Sequence, residues 1–182
     1  MICLDTTALI RLMQEAKNEQ ETSEKLQIQR AFTKWEADHL RILIPAVVLG
    51  EFLMGFDEPG RQAVVVEVMQ RNFIIGAYDA EAAIRASVLR LQVGGKEGIR
   101  AIQREQDLSK QCVKADLMIV ATALSHRAQL LVCEDRGVRE IAPKAGLAVV
   151  RLSELDAFYA EKSETGLFAE LDRSTGPDEP SG

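Results

Sequence analysis

The sequence has few of the residues that build zinc or non-haem iron sites. It contains only two histidines, and its cysteines, Cys3, Cys112 and Cys133, are too scattered for a zinc-binding spacing. We therefore expect reduced thiols, as in a cytoplasmic protein. The chain also lacks 18 consecutive apolar residues and a basic N-terminal region followed by an apolar run. We expect neither a membrane-spanning helix nor a signal peptide.

An excess of positive charge is also missing. The 182 residues include 22 Lys and Arg against 28 Asp and Glu, which gives a net charge of -6. This balance argues against a simple nucleic-acid-binding module. It remains compatible with an enzyme that approaches phosphate groups through a bound metal ion. The hydrophobic content of 47% is sufficient for one packed domain without disulfides.

Three almost uncharged segments of the chain each contain a single acidic residue, namely Asp5, Glu51 and Asp116. A carboxylate inside an apolar segment is costly to desolvate unless another group compensates its charge. None of these segments supplies a Lys or Arg. The pattern therefore indicates that a divalent cation binds where the three acids meet.

Short apolar runs alternate with helical patterns along the chain, which is typical of a parallel sheet built from βαβ units. We predict a three-layer α/β/α fold with a central parallel sheet, in a single domain over residues 1–161. Residues 162–182 are predicted to be a C-terminal extension that is disordered at its end, because this end is rich in Ser, Gly, Pro and Glu. The predicted strands are Ile2–Leu4, Arg41–Ile44, Phe73–Ala77, Leu130–Cys133 and Ala148–Val150.

Two polar segments interrupt this pattern. Lys17–Glu24 is predicted to be unstructured or a hinge. The glycine-rich segment Val93–Gly98 is predicted to be a loop, and it lacks the residue order of a phosphate-binding loop.

The predicted topology brings four acids to one edge of the sheet. Asp5 directly follows the first strand, and Asp135 follows the strand Leu130–Cys133. Asp116 is expected to open the helix that leads into that strand, and Glu51 lies about two turns into the helix after the second strand. Since the carboxyl ends of parallel strands share one edge, these four side chains are expected to converge there.

Each residue also has a purely structural explanation. Asp5 and Asp116 could be helix N-caps, and Asp135 could belong to a solvated turn. Thr6 and Thr122 are candidates for hydroxyls that support the acids, although Thr6 could simply start a helix and Thr122 could bond to a helix carbonyl. Oxygen ligands of this kind favour Mg²⁺ or Mn²⁺.

Five segments of the chain resemble, in order, the PIN-domain ribonucleases, and especially the VapC-type toxins of toxin–antitoxin pairs. They are ICLDTTALI, IPAVVLGEFLMG, YDAEAAIRA, KADLMIVATAL and LLVCEDRGV. The resemblance implies a parallel sheet between helices, with an acidic Mg²⁺ or Mn²⁺ site at the sheet edge. Asp5, Glu51, Asp116 and Asp135 match the four acids of the family, while Cys133 stands where the family has Thr.

The resemblance further implies an RNA substrate, an antitoxin partner and a homodimer. The chain is longer than compact family members at residues 16–38 and 94–111. Our first hypothesis is a metal-dependent endoribonuclease in which Arg11, Arg136 and Arg139 contact RNA near the acids. Arg100 and Arg104, expected to share a helix face, are further candidates for substrate binding. The alternatives are a catalytically inactive PIN-like domain that binds proteins, and a haloacid-dehalogenase-like phosphatase. The phosphatase is disfavoured because Thr7 stands where that family needs a second Asp.

Overall fold

The computed structural model of the chain describes residues 1–107 and 109–165. It contains a parallel five-stranded sheet flanked by helices, as predicted. Each strand is three or four residues long and is apolar, because the strands of a parallel sheet are covered on both faces. The strands are β1 (Ile2–Leu4), β2 (Ile42–Pro45), β3 (Ile74–Gly76), β4 (Leu130–Val132) and β5 (Ala148–Val150).

The helices lie between and after these strands. Within the described residues, no helix combines the length and the apolar character that are needed to cross a bilayer. The predicted disordered end of the C-terminal extension lies outside the described residues. The helices are α1 (Thr6–Met13), α2 (Glu19–Ala37), α3 (Ala46–Leu53), α4 (Pro59–Asn72), α5 (Ala80–Gln92), α6 (Gly95–Gln106), α7 (Lys110–Ser125), α8 (Arg136–Ile141) and α9 (Leu155–Thr165), with 3₁₀ turns at Ala142–Ala145 and Leu152–Glu154.

The strand order is β3-β2-β1-β4-β5, and all four pairings are parallel. In the central strand, Ile2 pairs with Ile42 of β2 on one side and with Leu130 of β4 on the other. The order of the strands reverses between β1 and β4. In open parallel sheets this reversal leaves a crevice at the carboxyl ends of the two strands, which is where ligands bind.

Helix α2 is longer than the sequence suggests. The prediction that Lys17–Glu24 is unstructured is wrong, since the helix begins at Glu19. The side chain of Asn18 caps it by accepting the backbone N–H of Glu21 at 2.9 Å. Arg11 of α1 then binds the Glu21 carboxylate at 3.2 Å. A cap and an ion pair to the preceding helix therefore order a segment whose composition is typical of a loop.

The far end of α2 is anchored in the core. Trp35 is fully buried, and its indole N–H donates a hydrogen bond to the hydroxyl of Tyr159 on α9. The two rings meet edge to face with centroids 6.4 Å apart. A buried Trp contributes several kcal/mol, about 3–5 when it is replaced by Ala. The contact joins residues that are 124 positions apart in the chain.

The glycine-rich segment 93–98 is only partly a loop, since α6 already begins at Gly95. Gly94 and Gly95 both have positive φ, which glycine adopts without strain. A Cβ on Gly98 would lie 1.6 Å from the carbonyl oxygen of Val93. The glycines therefore allow α6 to turn back sharply from the end of α5.

Candidate active site

Asp5 joins β1, α1 and the segment after β4. It is the N-cap of α1, and its Oδ1 accepts the backbone N–H of Ala8 at 2.7 Å. Its Oδ2 accepts the backbone N–H of Glu134 at 2.9 Å. Burial raises the pKa of Asp5, while hydrogen bonds from the Cys133 thiol and from backbone N–H groups act in the opposite direction. The capping explanation for Asp5 is therefore correct, but the second oxygen also reaches the segment that follows β4.

Glu51 is half-buried on α3 and faces α1. The hydroxyl of Thr6 donates a hydrogen bond to its Oε2. Thr6 is the first residue of α1, directly after Asp5. This contact holds the carboxylate of Glu51 at the start of the helix that Asp5 caps.

Asp116 lies in the second turn of α7. The expectation that it opens this helix is wrong, because Ser109 is the N-cap and its Oγ accepts the backbone N–H of Cys112 at 3.2 Å. Only 4% of Asp116 is exposed, and its Oδ2 is buried without a hydrogen-bond partner in the described part of the protein. A buried carboxylate oxygen without a donor is energetically costly.

The pKa of Asp116 is raised in part by the charges of the other three acids. Burial, as the largest cause, and the negative charges of Asp135, Glu51 and Asp5, in that order, together raise this pKa to about 7. All three carboxylates must be near Asp116 for their charges to act on it. The structure thus brings together four acids that are separated by up to 130 positions in the sequence.

Asp135 is exposed and caps α8. Its Oδ1 accepts the backbone N–H groups of Gly137 at 2.7 Å and Val138 at 3.4 Å. The backbone N–H of Asp135 points at the sulfur of Cys133, at 3.2 Å. Cys133 therefore contacts both Asp5 and Asp135, from the position where the PIN-domain ribonucleases that the sequence resembles have Thr. Burial raises the pKa of this thiol, which keeps it protonated.

The donor set suits a hard divalent cation, which carboxylate oxygens bind well. Within residues 1–107 and 109–165, the Oδ2 of Asp116 has no hydrogen-bond donor. In the same residues, none of the four acids forms an ion pair with Lys or Arg. Across the same residues, however, no three His, Cys, Asp or Glu side chains are arranged to hold an ion. Asp5 and Asp135 instead direct oxygens to backbone N–H groups. The residue types fit a cation, and the carboxylates share one region without forming a complete ligand set.

Thr122 does not lie with the acids. It is six residues after Asp116 on α7, which corresponds to about 9 Å of helix rise and a different face. Its methyl carbon is 2.9 Å from the position that a Cβ on Gly76 would occupy, so it packs against the edge strand β3. Its buried hydroxyl oxygen has no hydrogen-bond partner in the described part of the chain. The geometry favours a packing role for this residue.

The three arginines proposed to contact RNA have different surroundings. Arg11 is bound by Glu21 at 3.2 Å and by Glu24 at 2.7 Å, so its charge is already neutralised. Arg139 is half-buried on α8. Arg136 is exposed and directly follows Asp135. Arg136 is therefore the best placed of the three to meet a phosphate group.

Glu134, in the segment after β4, was not among the residues expected at the site. The backbone N–H of Glu134 holds Asp5, and the carboxylate of Glu134 accepts hydrogen bonds from the backbone of Leu152 at 2.7 Å and from Arg151 at 3.1 Å. Glu134 is thus a structural link between the site and the turn after β5. In the sequence, Glu134 could have been identified as a site residue because it directly precedes Asp135 and closely follows a buried strand.

A family model described as the PIN domain matches residues 2–144. No curated protein matches the chain significantly. The fold is similar to a chain of VapBC2 from Rickettsia felis bound to a DNA fragment from its promoter, with a TM-score of 0.55 and 17% identity over 83% of this chain and 98% of that one.

Two further solved structures have the same fold. DNA-bound VapBC from Salmonella typhimurium matches with a TM-score of 0.53 and 22% identity, over 83% of this chain and 97% of that one. A toxin–antitoxin complex from Klebsiella pneumoniae matches with a TM-score of 0.52 and 20% identity, over 84% and 98% of the two chains.

Proposed function

The chain belongs to the PIN domain family, and we propose that it is a Mg²⁺- or Mn²⁺-dependent endoribonuclease, the toxin of a toxin–antitoxin pair. PIN domains are generally nucleases and typically use divalent metal ions. The observation that carries the proposal is the buried Oδ2 of Asp116, which has no partner in the described residues and is surrounded by the charges of three other acids. A cation bound there would offset the desolvation cost of the buried carboxylate and the repulsion among the four acids.

In the proposed mechanism, Asp5, Glu51, Asp116 and Asp135 hold the cation. When bound, a divalent ion supplies charge neutralisation at the phosphodiester and activates water for in-line attack. Thr6 orients Glu51 through its hydrogen bond, and the backbone N–H groups of Ala8 and Glu134 orient Asp5.

The test is a cleavage assay with labelled single-stranded RNA and DNA of the same sequence. We expect RNA cleavage that is lost in EDTA and restored by excess Mg²⁺ or Mn²⁺. In parallel, Mn²⁺ should raise the melting temperature, because an ion that binds only the native state stabilises it. Neither cleavage nor a thermal shift at millimolar Mn²⁺ would instead favour the inactive, protein-binding alternative, which the lack of a complete ligand set motivates.

We propose an antitoxin protein as the partner of this chain. The proposal is supported by the solved structures of similar fold, which include a toxin–antitoxin complex. An open groove of about 670 Å³ between α1, α3 and α4 offers an apolar surface, with Lys17 and Arg61 among its lining residues. Val64 and Val68 line the same groove and are exposed. Co-purification from co-expressed genes would measure the interaction.

We also propose a homodimer that forms through α5. Ile84, Val88 and Leu91 are 65%, 50% and 69% exposed, and their spacing of four and three residues places them on one face of the helix. Such a contiguous apolar stripe is unusual on a monomer surface. A two-fold contact between two copies of this face would bury all three side chains in both chains.

The double substitution Ile84→Glu/Leu91→Glu is expected to produce a monomer, because it places like charges in the proposed contact. Light scattering at micromolar concentration measures the mass. The double substitution Leu26→Glu/Met54→Glu, at two other exposed apolar positions, is the control and should leave the dimer intact. A monomeric mass for the unmodified protein would contradict the proposal.

A further inference from the structure

We propose that α6 and the first two turns of α7 form a basic ridge that binds the sugar-phosphate backbone of RNA and guides it to the acids. The inference rests on the proposed ribonuclease function and names the surface that would hold the substrate. The basic ridge consists of Lys96, Arg100, Arg104, Lys110 and Lys114.

The first three members of the ridge lie on one face of α6. Lys96, Arg100 and Arg104 are spaced by four residues, so that neighbours are about 6 Å apart along the helix axis. All three are exposed. The opposite face carries Ile99 and Ile102, and Ile102 is only 3% exposed because it packs into the core. Burial of the apolar face therefore fixes the basic face toward solvent.

Helix α7 adds two basic residues on the helix that carries Asp116. Lys110 and Lys114 are exposed, one turn apart, and have no ion-pair partner among residues 1–107 and 109–165. Lys114 precedes Asp116 by two residues, about 200° around the helix, so it lies on the solvent face while Asp116 is buried. Helix α6 packs against α7 and also against α8, the helix capped by Asp135. The ridge thus borders the elements that carry two of the four acids.

The charge of this segment is opposite to that of the whole protein. Residues 95–114 contain five basic and three acidic residues, in a chain whose net charge is -6. Binding of a polyanion depends on neutralising phosphates with Lys and Arg. A negatively charged ribonuclease therefore needs a local positive surface, and this segment has an excess of basic residues that can supply one.

The turn between α5 and α6 holds the ridge in place. Gly94 and Gly95 have φ values of 96° and 63°, and the N–H of Gly98 bonds to the carbonyl of Gly94 at 3.1 Å. Because any side chain at Gly98 would collide with Val93, α6 approaches the end of α5 as closely as the backbone allows. The basic side chains therefore project from a helix with a defined position.

One acidic residue competes with RNA for the ridge. The carboxylate of Glu97 contacts the guanidinium of Arg100 at 2.9 Å, and both side chains are largely exposed, at 79% and 66%. Exposed ion pairs of this kind are weak and are screened by salt. A phosphate group can displace Glu97, and removal of the Glu97 charge should favour binding.

The test uses the full chain with Asp5→Asn to prevent cleavage, and measures the anisotropy of a labelled single-stranded RNA over a range of salt concentrations. The triple substitution Lys96→Gln/Arg100→Gln/Arg104→Gln is expected to weaken binding at least tenfold at low salt. It should also reduce the slope of log K against log salt by about 2, since each lost phosphate contact contributes about 0.7. The matched control, Arg30→Gln/Arg71→Gln on α2 and α4, should bind like the parent.

A second variant tests the ridge by a gain of binding. Glu97→Gln is expected to tighten RNA binding several-fold, whereas Glu67→Gln should not, although Glu67 forms a similar exposed pair with Arg71. A gain of this kind cannot result from misfolding.

The outcomes separate the ridge from the proposed function. If the unmodified protein cleaves RNA and the Asp5→Asn protein binds it, but the triple variant and Glu97→Gln bind RNA as the Asp5→Asn protein does, the ridge is refuted and the function stands. If the unmodified protein does not cleave RNA and the Asp5→Asn protein does not bind it, the proposed function itself fails. If the triple variant binds RNA normally but no longer binds a protein partner of the unmodified chain, the ridge is a protein-binding surface, and its assignment to RNA is overturned.

Discussion

Asp116→Asn is expected to stabilise the metal-free protein at neutral pH while it abolishes RNA cleavage. The carboxylate is 4% exposed, and its Oδ2 has no partner in the described residues. Its pKa is raised from 3.8 to about 7, so the folded protein disfavours the charged form. One pKa unit corresponds to about 1.4 kcal/mol, and we expect a gain on the order of 2–4 kcal/mol.

The gain should depend on pH in a defined direction. Below about pH 4 the carboxyl group is protonated in both the folded and the unfolded protein and costs nothing. As the pH rises from about 4 to about 7, the unfolded chain releases the proton first, so the folded protein loses stability relative to the Asn variant. Above about pH 7 the difference is constant. Thermal unfolding in EDTA at pH 5 and pH 8 should therefore show the larger gain at pH 8.

The control for this experiment is Asp79→Asn. Asp79 caps α5 by accepting the backbone N–H of Ala82 at 3.0 Å, and Asn is an equally good cap. Its melting temperature should stay close to that of the parent at both pH values. Excess Mn²⁺ should raise the melting temperature of the parent more than that of Asp116→Asn. A lower melting temperature for Asp116→Asn in EDTA at pH 8 would show that the carboxylate is compensated in another way.

Asp5→Asn is expected to reduce RNA cleavage by at least about 10²–10³-fold, the usual effect of removing one group from a preorganised electrostatic site. The amide can still cap α1 through its oxygen and the N–H of Ala8. It cannot supply the negative charge, and its NH₂ group would face the N–H of Glu134. The rate constant at saturating Mn²⁺ measures the effect.

Asp79→Asn is again the matched control, because it makes the same change at an N-cap on α5 rather than at the acid cluster. We expect its cleavage rate to equal that of the parent. Far-ultraviolet circular dichroism of both variants establishes that they are folded. Undiminished cleavage by Asp5→Asn would mean that RNA is hydrolysed elsewhere, and the proposed centre would be abandoned.

The sheet could be read from the sequence because each strand is a short apolar run that ends at a polar or turn residue. β1 at Ile2–Leu4 and β5 at Ala148–Val150 have the predicted bounds, and the other three strands differ from prediction by one residue at one or both ends. The strands of a parallel sheet between two helical layers are apolar at nearly every position, so each strand is recognisable as a short apolar run. The start of α2 could not be read in this way, because the Asn18 cap and an ion pair between Glu21 and Arg11 of α1 order it.

Three acids of the candidate site could also be identified from the sequence, since Asp5, Glu51 and Asp116 each interrupt an apolar segment. The contacts that these acids make with other residues could not be identified from the sequence. The sequence does not reveal that Thr6 bonds to Glu51, that Glu134 supplies an N–H to Asp5, or that Glu21 binds Arg11. Each of these contacts joins side chains or loops from different elements.

The sequence by itself indicated the order of strands and helices and singled out Asp5, Glu51 and Asp116, because apolar patterning and desolvation cost act on short stretches of chain. Asp135 was a candidate through its position after a strand, and the family through the resemblance of five segments to the PIN-domain ribonucleases. Only the tertiary structure decided which charges face one another. Electrostatic interactions depend on distance and burial in three dimensions, so the raised pKa of Asp116, the neutralised Arg11 and the packing of Thr122 against Gly76 follow from the folded arrangement alone.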